Sequence, residues 1–329
     1  MKDLYNITRP SWSDLEPRAT KIVSGYFALD RNENADIIYR NQIEDIIKNK
    51  IDIQKASVYE DYFHYYNMLS NAYNIPTDNM LITAGCDEAI RLSLEALLDK
   101  NTTYLTISPT YRGAETNAVD LVHSIHTCGE DEASIREYFD HIEPDVFYIC
   151  SPNNPSGKVY SKDFITSLFK DYPDTVTFID NTYADFIDED YTDLIQYKNC
   201  LIGRSYSKAW GLAGSRFGLL FGHKDLIEQI TKIRPIMSVS SITLQVVQYL
   251  HEHISIVEDT IKRNKDGIIH IYDHFKDCNI YSEPNVNHII FDCPDDFRAR
   301  LDDNKYLYAS DGTSRIRLTT MPISQFGNI

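Results

Sequence analysis

Side chains with chemical potential follow the β-rich segments in the middle of the chain. Asp180 ends the segment VTFID, Lys208 follows CLIGRS after two more residues, and Arg216 stands directly before FGLLFG. A lysine can form a Schiff base with an aldehyde, and an aspartate can pair with a pyridinium nitrogen. The forked guanidinium of an arginine suits a phosphate. These three groups predict a cofactor with an aldehyde, a ring nitrogen and a phosphate.

Other β-rich segments are followed by further groups that suit the same cofactor. A helix N-terminus offers free N–H groups to a phosphate, and serine hydroxyls complete the shell. Amide and phenol groups can hydrogen-bond a ring oxygen, and an aromatic side chain can stack on the ring. The residues that offer these groups are Gly85, Cys86 and Asp87 at a helix start, Ser205 and Ser207, Asn154 and Tyr183, and Tyr111. The full set describes pyridoxal phosphate.

Seven short β-rich segments, several of them almost continuously apolar, indicate strands buried on both faces. Helical patterns lie between many of them, at Asp87–Lys100, Glu132–His141 and Ser161–Tyr172. This alternation predicts an α/β fold with a mainly parallel seven-stranded sheet between helices. Ligands bind such sheets at the carboxyl ends of the strands, so the groups above are expected to share one rim. The predicted strands are Asn79–Gly85, Thr103–Pro109, Leu121–Cys128, Val146–Pro152, Val176–Asp180, Cys200–Ser205 and Phe217–Gly222.

The pattern changes near residue 240. Thr243–Phe275 is typical of one or two long helices, and Asn287–Cys293 and Arg315–Thr319 are predicted strands. We therefore expect three parts. They are an irregular N-terminal arm (1–35), a large cofactor-binding α/β domain (36–240) and a smaller C-terminal α+β domain (241–329).

The composition excludes several classes of function. The 329 residues include 32 lysines and arginines against 49 aspartates and glutamates, which gives a formal net charge of −17. This acidity opposes binding to nucleic acid or to an anionic membrane surface. No apolar stretch approaches the roughly 20 residues of a membrane-spanning helix. A locally positive pocket for a small anion is compatible with the net charge.

Neither the cysteines nor the histidines indicate a metal site. The six cysteines lack the close pairing of zinc ligands. His251 and His253 lie two residues apart on a predicted helix and so face different sides. The first ten residues lack the apolar core of a signal peptide, and free thiols suit a reducing compartment. We expect no metal and a cytoplasmic location.

Longer motifs resemble those of class I/II aminotransferases of PLP fold type I, closest to the histidinol-phosphate aminotransferase-like branch. The more specific motifs are SPNNPSG at 151–157, FIDNTY at 178–183 and GRSYSKAWGLAGSRFG at 203–218. Weaker ones are RNEN at 31–34, SVYED at 57–61, AGCDEAI at 84–90, SPTYRGAE at 108–115 and RIRLT at 315–319. Together they span nearly the whole chain in family order. The resemblance implies a homodimer that binds pyridoxal 5'-phosphate.

The resemblance also implies a role for each matched residue. Lys208 is the Schiff-base lysine and the base that moves a proton between substrate and cofactor, and Asp180 pairs with the ring nitrogen. Asn154 and Tyr183 bind the ring oxygen, and Tyr111 stacks on the ring. The other roles are phosphate binding by the backbone at Gly85, Cys86 and Asp87 with Ser205, Ser207 and Arg216, a phosphate contact by Tyr59 from the neighbouring subunit, and substrate binding by Arg317, Asn32 and Tyr26.

Some features depart from the resembled pattern. Asn181-Thr182 stands where the family usually has Glu-Ala, and Tyr59-Glu60-Asp61 stands where it usually has Tyr-Pro-Asp. Histidinol-phosphate enzymes usually carry a second arginine in the stretch that corresponds to Lys305–Ser310, which has none. Arg315 is expected to compensate, because it lies two residues from Arg317 and so on the same face of a strand.

The sequence thus predicts an aminotransferase that moves an amino group, as from glutamate, to a small phosphorylated carbonyl compound. Two alternatives stay open. Amino-acid-phosphate decarboxylases that act on threonine or serine phosphate resemble the same branch, and loss of a carboxylate needs only a different orientation on the same electron sink. A non-catalytic pyridoxal-phosphate sensor usually attaches a DNA-binding module, for which this chain has neither the length nor a basic patch. The S-x-x-K pattern at 205–208 also fits penicillin-binding serine enzymes, but K-T-G and S-D-N are absent from the sequence.

Overall fold

The structure, a computed structural model, describes residues 25–327, so most of the predicted arm lies outside the described residues. Seven strands form one sheet, and the prediction of a mainly parallel seven-stranded sheet is confirmed. These strands are β2 (Met80–Thr83), β3 (Tyr104–Ile107), β4 (Ile125–Cys128), β5 (Val146–Cys150), β6 (Val176–Asp180), β7 (Cys200–Ser205) and β8 (Gly218–Gly222). They lie side by side in the order β2-β8-β7-β6-β5-β3-β4.

Strand β8 is antiparallel to both of its neighbours, whereas β3 to β7 pair in parallel. Parallel neighbours need a long crossover, usually a helix. The twelve-residue connection at 206–217 contains only the short 3₁₀ helix Ala213–Ser215, so the chain reverses and β8 runs back beside β7. The first residue of β8 therefore lies at the same rim as the carboxyl ends of its neighbours.

Both faces of the sheet are covered by helices. Alternate residues of a strand point to opposite faces, so Phe147 and Ile149 join one apolar cluster and Tyr148 and Cys150 join another. The α-helices within residues 25–275 are α1 (Ile37–Asn49), α2 (Tyr62–Tyr73), α3 (Cys86–Leu97), α4 (Arg112–Ala118), α5 (Glu132–Ile142), α6 (Lys162–Asp171), α7 (Lys224–Thr231), α8 (Ser241–Glu252) and α9 (Ser255–His274). Helix α9 contributes Val257 and Ile268 to the core of this sheet and Ile271 to a further apolar cluster near the C-terminal end.

Capping side chains set several helix starts. The Ser161 hydroxyl accepts from the Phe164 N–H at 3.1 Å, and Asp131 accepts from the Ser134 N–H at 2.8 Å. Each side chain satisfies an N–H that the helix itself leaves unpaired. The helices at 162–171 and 132–142 therefore begin where the sequence predicts, within one residue. The strand predicted at Leu121–Cys128 begins only at Ile125, because residues 121–123 form a turn.

A second, smaller sheet lies near the C-terminal end. It contains β9 (His288–Asp292), β11 (Ala309–Ser310) and β12 (Arg315–Thr319), all antiparallel. Its apolar side packs with α10 (Asp295–Asp303) and α11 (Ile323–Phe326). The boundaries predicted at residues 35 and 240 remain a proposal, which rests on this separate sheet and its own apolar cluster.

Part of the predicted arm takes regular structure. Its residues Phe27–Ala28 form β1, which pairs in parallel with β10 (Tyr306–Leu307), and Leu29 is fully buried in the apolar cluster of the smaller sheet. These contacts anchor the last part of the arm, residues 30–35, to the C-terminal part of the chain. Within residues 25–327, no helix is long and apolar enough to cross a membrane.

Substitution of Gly267 tests how closely α9 packs against the backbone at Met321. A Cβ at this position would lie 2.0 Å from the Met321 carbonyl oxygen, which belongs to backbone and cannot swing aside. Gly267→Ala should lower the free energy of unfolding by about 1–3 kcal/mol, despite the better helix propensity of alanine. Gly214→Ala is the control, because a Cβ there meets no atom within 4 Å. Urea unfolding of both variants measures the difference, and equal stabilities would contradict the close approach.

Candidate active site

The strand register gathers the predicted groups at one rim. Gly218, the first residue of β8, pairs with Thr83 at the end of β2 and with Ser205 at the end of β7. Asp180 ends β6 beside Gly203. The segments that follow these strand ends are therefore neighbours in space. The rim unites Lys208, Asp180 and the helix start at Cys86, as the sequence predicts for parallel strand ends.

One end of the rim is built to hold an anion. Gly85, with φ of 85°, turns the chain into α3, so that the first N–H groups of the helix point out of the rim. Arg216 lies across this turn, and a Cβ at Gly85 would come within 2.6 Å of its Nη2. The same guanidinium donates to the Ser207 hydroxyl at 3.5 Å. Ser205 is buried next to Ser207, and its hydroxyl accepts from the Ser207 N–H at 3.1 Å.

Asp87 orients two of the predicted cofactor-binding side chains. One carboxylate oxygen accepts from the Tyr111 hydroxyl at 2.6 Å, and the other pairs with Arg216 at 3.2 Å. The ring of Tyr111 lies over Gly113, where a Cβ would come within 2.3 Å of it. A side chain at residue 113 would displace the ring, so Gly113 is part of what positions Tyr111.

Asp180 is a buried carboxylate with three donors. Oδ2 accepts from the Tyr148 hydroxyl at 2.6 Å, and Oδ1 accepts from the Thr182 N–H at 3.1 Å and the Cys86 thiol at 3.6 Å. Burial raises the pKa of Asp180, and the hydrogen bonds from Tyr148 and Thr182 lower it in part. Among the described residues no lysine or arginine forms an ion pair with it. Its charge therefore depends on these donors and on whatever binds at the rim.

Lys208 and Tyr183 lie close together at the rim where β6 ends in Asp180. The Lys208 ammonium is 6.0 Å from the centre of the Tyr183 ring and donates to the Arg31 carbonyl at 3.1 Å. Tyr183 is buried, and its hydroxyl accepts from the side-chain amide of Asn32 at 3.0 Å. The arm residues 31 and 32 thus reach the predicted Schiff-base lysine and the predicted ring-oxygen ligand.

The loop at 151–157 holds Asn154 at the same rim. Its neighbour Asn153 is buried, donates to the Pro109 carbonyl at 2.9 Å and accepts from the Thr110 hydroxyl at 2.7 Å. Asn154 is half-buried, and no hydrogen bond of its side-chain amide occurs with the described residues. The amide is therefore available to a ligand, while the backbone that carries it is fixed.

Arg317 and Arg315 lie in different surroundings. Arg317 is partly buried, and its Nη2 donates to the Asp30 carbonyl at 3.0 Å while its Nε is buried without a hydrogen-bond partner among the described residues. Arg315 is exposed, and its guanidinium stacks 3.7 Å above the ring of Tyr281. The two guanidinium groups do not share one site, because that of Arg315 stacks on Tyr281 and that of Arg317 donates to Asp30.

Two predicted tyrosines lie at the surface of the described chain. Tyr59 is 89% exposed and Tyr26 is 42% exposed. The structure describes no hydrogen bond from either side chain to the rim. Their roles stay predictions.

The structure adds residues that the sequence did not indicate. The sequence identifies Tyr148 only as a residue of a predicted strand, with no role at the site. His288 is the first residue of β9, and the centre of its ring lies 6.0 Å from that of the Tyr183 ring. Asn181 replaces the usual glutamate. Its amide donates to the Ser151 carbonyl at 2.7 Å and accepts from Arg204 at 3.2 Å, so this departure braces the turn after Asp180.

The rim fits pyridoxal phosphate. Asp180 is a buried carboxylate that lacks a cation among the described residues, and a pyridinium N–H would supply one. The helix N-terminus with Arg216, Ser205 and Ser207 matches a phosphate in charge and in donors. Among the described residues, no group of three or more histidine, cysteine or acidic side chains could hold a metal ion.

Tyr148→Phe tests how Asp180 stays ionised. The folded-state pKa of Asp180 lies above its pKa in the unfolded chain. Asp180 therefore stabilises the fold at pH values below the unfolded-state pKa, and this contribution is lost as pH rises through the folded-state pKa. Removing the Tyr148 donor raises the pKa further. The cost of Tyr148→Phe to the apo-protein should therefore grow with pH, to about 1–3 kcal/mol where the carboxylate is ionised.

Tyr39→Phe is the matched control. Tyr39 is equally buried, but its hydroxyl donates at 2.7 Å to the Trp210 carbonyl, which does not titrate. Its cost should not change with pH. Urea unfolding of both apo-proteins across a pH series from about 4 to 8 makes the comparison. A cost of Tyr148→Phe that is constant with pH would show that Tyr148 does not control the charge of Asp180.

The chain matches a protein family and several known enzymes in sequence. The family model for aminotransferase class I and II matches residues 38–278. A histidinol-phosphate aminotransferase of Bacillus cytotoxicus is 26% identical over 244 residues, which is 70% of this chain and 65% of the relative. A dihydroxyacetone phosphate transaminase of Campylobacter jejuni is 32% identical over 184 residues, 52% of this chain and 50% of the relative. The match thus spans about two thirds or less of the length of these relatives.

Solved structures share the fold across most of the chain. The L-threonine-O-3-phosphate decarboxylase of Porphyromonas gingivalis superposes with a TM-score of 0.75 at 17% identity, covering 92% of this chain and 96% of that one. The histidinol-phosphate aminotransferase of Sinorhizobium meliloti, in complex with pyridoxal-5'-phosphate, has a TM-score of 0.73 at 16% identity, covering 92% and 88%. The predicted fold is therefore confirmed. Since the family model covers well over half of the sequence, the chain belongs to the aminotransferase class I and II family.

Proposed function

We propose that the protein is a pyridoxal-phosphate-dependent aminotransferase that transfers an amino group, as from glutamate, to a small phosphorylated carbonyl compound. The observation that carries this proposal is one rim with a half-buried Lys208 beside Tyr183, a buried Asp180 and an anion site at Arg216. Family membership supports the same reaction class.

The cofactor supplies an electron sink that stabilises negative charge on the substrate carbon. The protein supplies the groups that bind it and move protons. Lys208 Nζ would hold the cofactor aldehyde in the absence of substrate and, once displaced by the substrate amine, would carry the proton that leaves and returns at the substrate carbon. Asp180 would keep the ring nitrogen protonated. Tyr183 and Asn154 would donate to the ring oxygen, and Arg216 with the α3 N-terminus would hold the phosphate.

Arg317 is the proposed anchor for the substrate anion. It is partly buried, and its Nε has no partner among the described residues, so the guanidinium retains a donor for a ligand. Both curated relatives are named for phosphorylated substrates. A phosphate on the acceptor and a carboxylate on the amino donor would bind Arg317 in turn, because both offer oxygens in a bidentate geometry.

Decarboxylation of an amino-acid phosphate is the second candidate, because the threonine-phosphate decarboxylase has the same fold. Product analysis separates the two reactions. Transamination leaves a keto product and no CO₂, whereas CO₂ release without a keto product would support the decarboxylase. A panel of amino donors and phosphorylated acceptors identifies the substrate.

The free thiols of all six cysteines support the cytoplasm as the proposed location.

A homodimer in which Tyr59 reaches the partner's phosphate site is proposed as well. Tyr59 is 89% exposed, and its neighbours Val58, Phe63 and Ile53 are exposed by 59%, 70% and 63%. Several large exposed apolar side chains within eleven residues of the chain indicate a surface that another protein covers. Association of two chains through this segment would bury these side chains.

Lys208→Ala tests the proposed cofactor chemistry. The variant should lose the visible absorption band of the lysine–cofactor bond, and borohydride should no longer fix cofactor to the peptide that carries residue 208. Turnover should fall by about 10²–10⁴-fold or more, the contribution of a general acid–base group. Lys170→Ala on the exposed face of α6 is the control. A retained band in Lys208→Ala would refute the assignment.

Mixing two inactive variants tests the role of Tyr59. If Tyr59 acts across a dimer interface, Tyr59→Ala and Lys208→Ala chains form heterodimers with one intact and one doubly defective site. Half of the dimers in an equal mixture are heterodimers, so exchange should restore about one quarter of the wild-type activity, provided each variant alone is inactive. Restoration would not occur if Tyr59 served its own subunit.

A further inference from the structure

His288 is a fully buried histidine between the smaller sheet and the rim. It opens β9 and makes one hydrogen bond at each ring nitrogen. Nε2 lies 3.0 Å from the Pro155 carbonyl oxygen, and Nδ1 lies 3.0 Å from the side-chain amide nitrogen of Asn32. The two partners adjoin the proposed ring-oxygen ligands. Pro155 follows Asn154 in the chain, and Asn32 contacts Tyr183.

These contacts define the tautomer of His288. A carbonyl oxygen can only accept, so Nε2 carries the hydrogen and Nδ1 is an acceptor for the amide of Asn32. Reversing the amide would require a second ring proton. Burial and the nearby charges of Arg317 and Lys208 lower the pKa of His288 to about 3, so the ring stays neutral. The Asn32 amide therefore donates both to His288 and to Tyr183.

The backbone of Asn32 is fixed from the smaller sheet. Its φ is 56°, in the left-handed region that asparagine tolerates better than most residues. Its N–H donates to the Thr319 hydroxyl at 3.0 Å, and its carbonyl accepts from the Asn287 amide at 3.0 Å. With the backbone held by β12 and by the residue before β9, the amide can still rotate about the two bonds of its side chain. The hydrogen bond to His288 opposes that rotation and keeps the amide nitrogen on Tyr183.

We propose that His288 is a positioning residue, which holds the Asn32 amide against Tyr183 and thereby directs the Tyr183 hydroxyl to the ring oxygen of the cofactor. Because the Tyr183 oxygen accepts from Asn32, its own hydrogen is left to donate into the site. The inference rests on the proposed function and deepens it. It assigns a contact from the C-terminal part of the chain to the chemistry at the rim.

Two substitutions separate the branches of this network. His288→Asn places a side-chain oxygen near the position of Nδ1 and keeps an acceptor for Asn32, but it loses the Pro155 contact. His288→Gln reaches toward Pro155 with a donor but offers no acceptor at the Nδ1 position. The readouts are the pH midpoint of the visible band of the holoenzyme, the cofactor dissociation constant, and the rate of the half-reaction with a saturating amino donor.

We expect His288→Asn to keep the midpoint and rate within about threefold of the wild type. In His288→Gln, without a well-aimed Tyr183 donor, the ring oxygen should hold the shared proton of the lysine nitrogen more tightly. The midpoint should then rise by about one pH unit, and the rate should fall by about 10-fold to 100-fold. The cofactor dissociation constant should change less, because Arg216 and the α3 N-terminus still bind the phosphate.

Equal midpoints in the two variants would overturn the proposal, as would a loss of cofactor affinity and stability shared by both, which indicates packing alone. If His288→Gln does not fold, Asn32→Ala must reproduce the rise in midpoint, and an unchanged midpoint there also overturns it. A wild-type protein that binds the cofactor but reacts with no donor would refute the proposed function, while the midpoints would still decide the role of His288.

Discussion

A buried carboxylate at the end of the central strand constrains the architecture around it. Asp180 must remain ionised to pair with a ring nitrogen, although burial favours its neutral form. Three donors from different elements oppose that tendency: Tyr148 from β5, Thr182 from the following turn and Cys86 from the first residue of α3. Gly203 in β7 completes the arrangement, because a Cβ there would come within 2.6 Å of the Cys86 sulfur. The helix that supplies the anion site can approach the carboxylate only because residue 203 has no side chain.

The reversed strand β8 places the anion site beside the helix start that donates to this carboxylate. It places Gly218 between Thr83 and Ser205, and a Cβ at Gly218 would come within 2.5 Å of the Gly85 backbone. The turn into α3 therefore packs directly on the first residue of β8, at the rim of the sheet. Arg216, two residues before β8, is carried to the same place with φ of 54°. A positive site of this kind is compatible with a net charge of −17 because its donors are local and the acidic side chains are distributed over the surface.

The sequence predicted the strands of the larger sheet well, because their apolar runs are short and bounded by turn residues. Val176–Asp180 and Cys200–Ser205 agree at both ends. It also predicted that Lys208, Asp180 and the helix start at Cys86 would meet, since parallel strand ends share a rim. It did not give the strand order, the reversal of β8 or the pairing of β1 with β10. Those depend on contacts between distant segments that no local pattern encodes.

The residues missed within the site were missed for a related reason. Tyr148 has the composition of a core strand residue, and only the register of β5 with β6 shows its hydroxyl at Asp180. His288 belongs to a segment about 80 residues beyond Lys208, and its partners Asn32 and Pro155 lie in two other segments. Arg315 illustrates the reverse case. Its spacing from Arg317 placed both on one strand face, but the ring of Tyr281 holds the Arg315 guanidinium at the surface. Spacing fixes the direction in which a side chain leaves the backbone, and the neighbours decide where a long one ends.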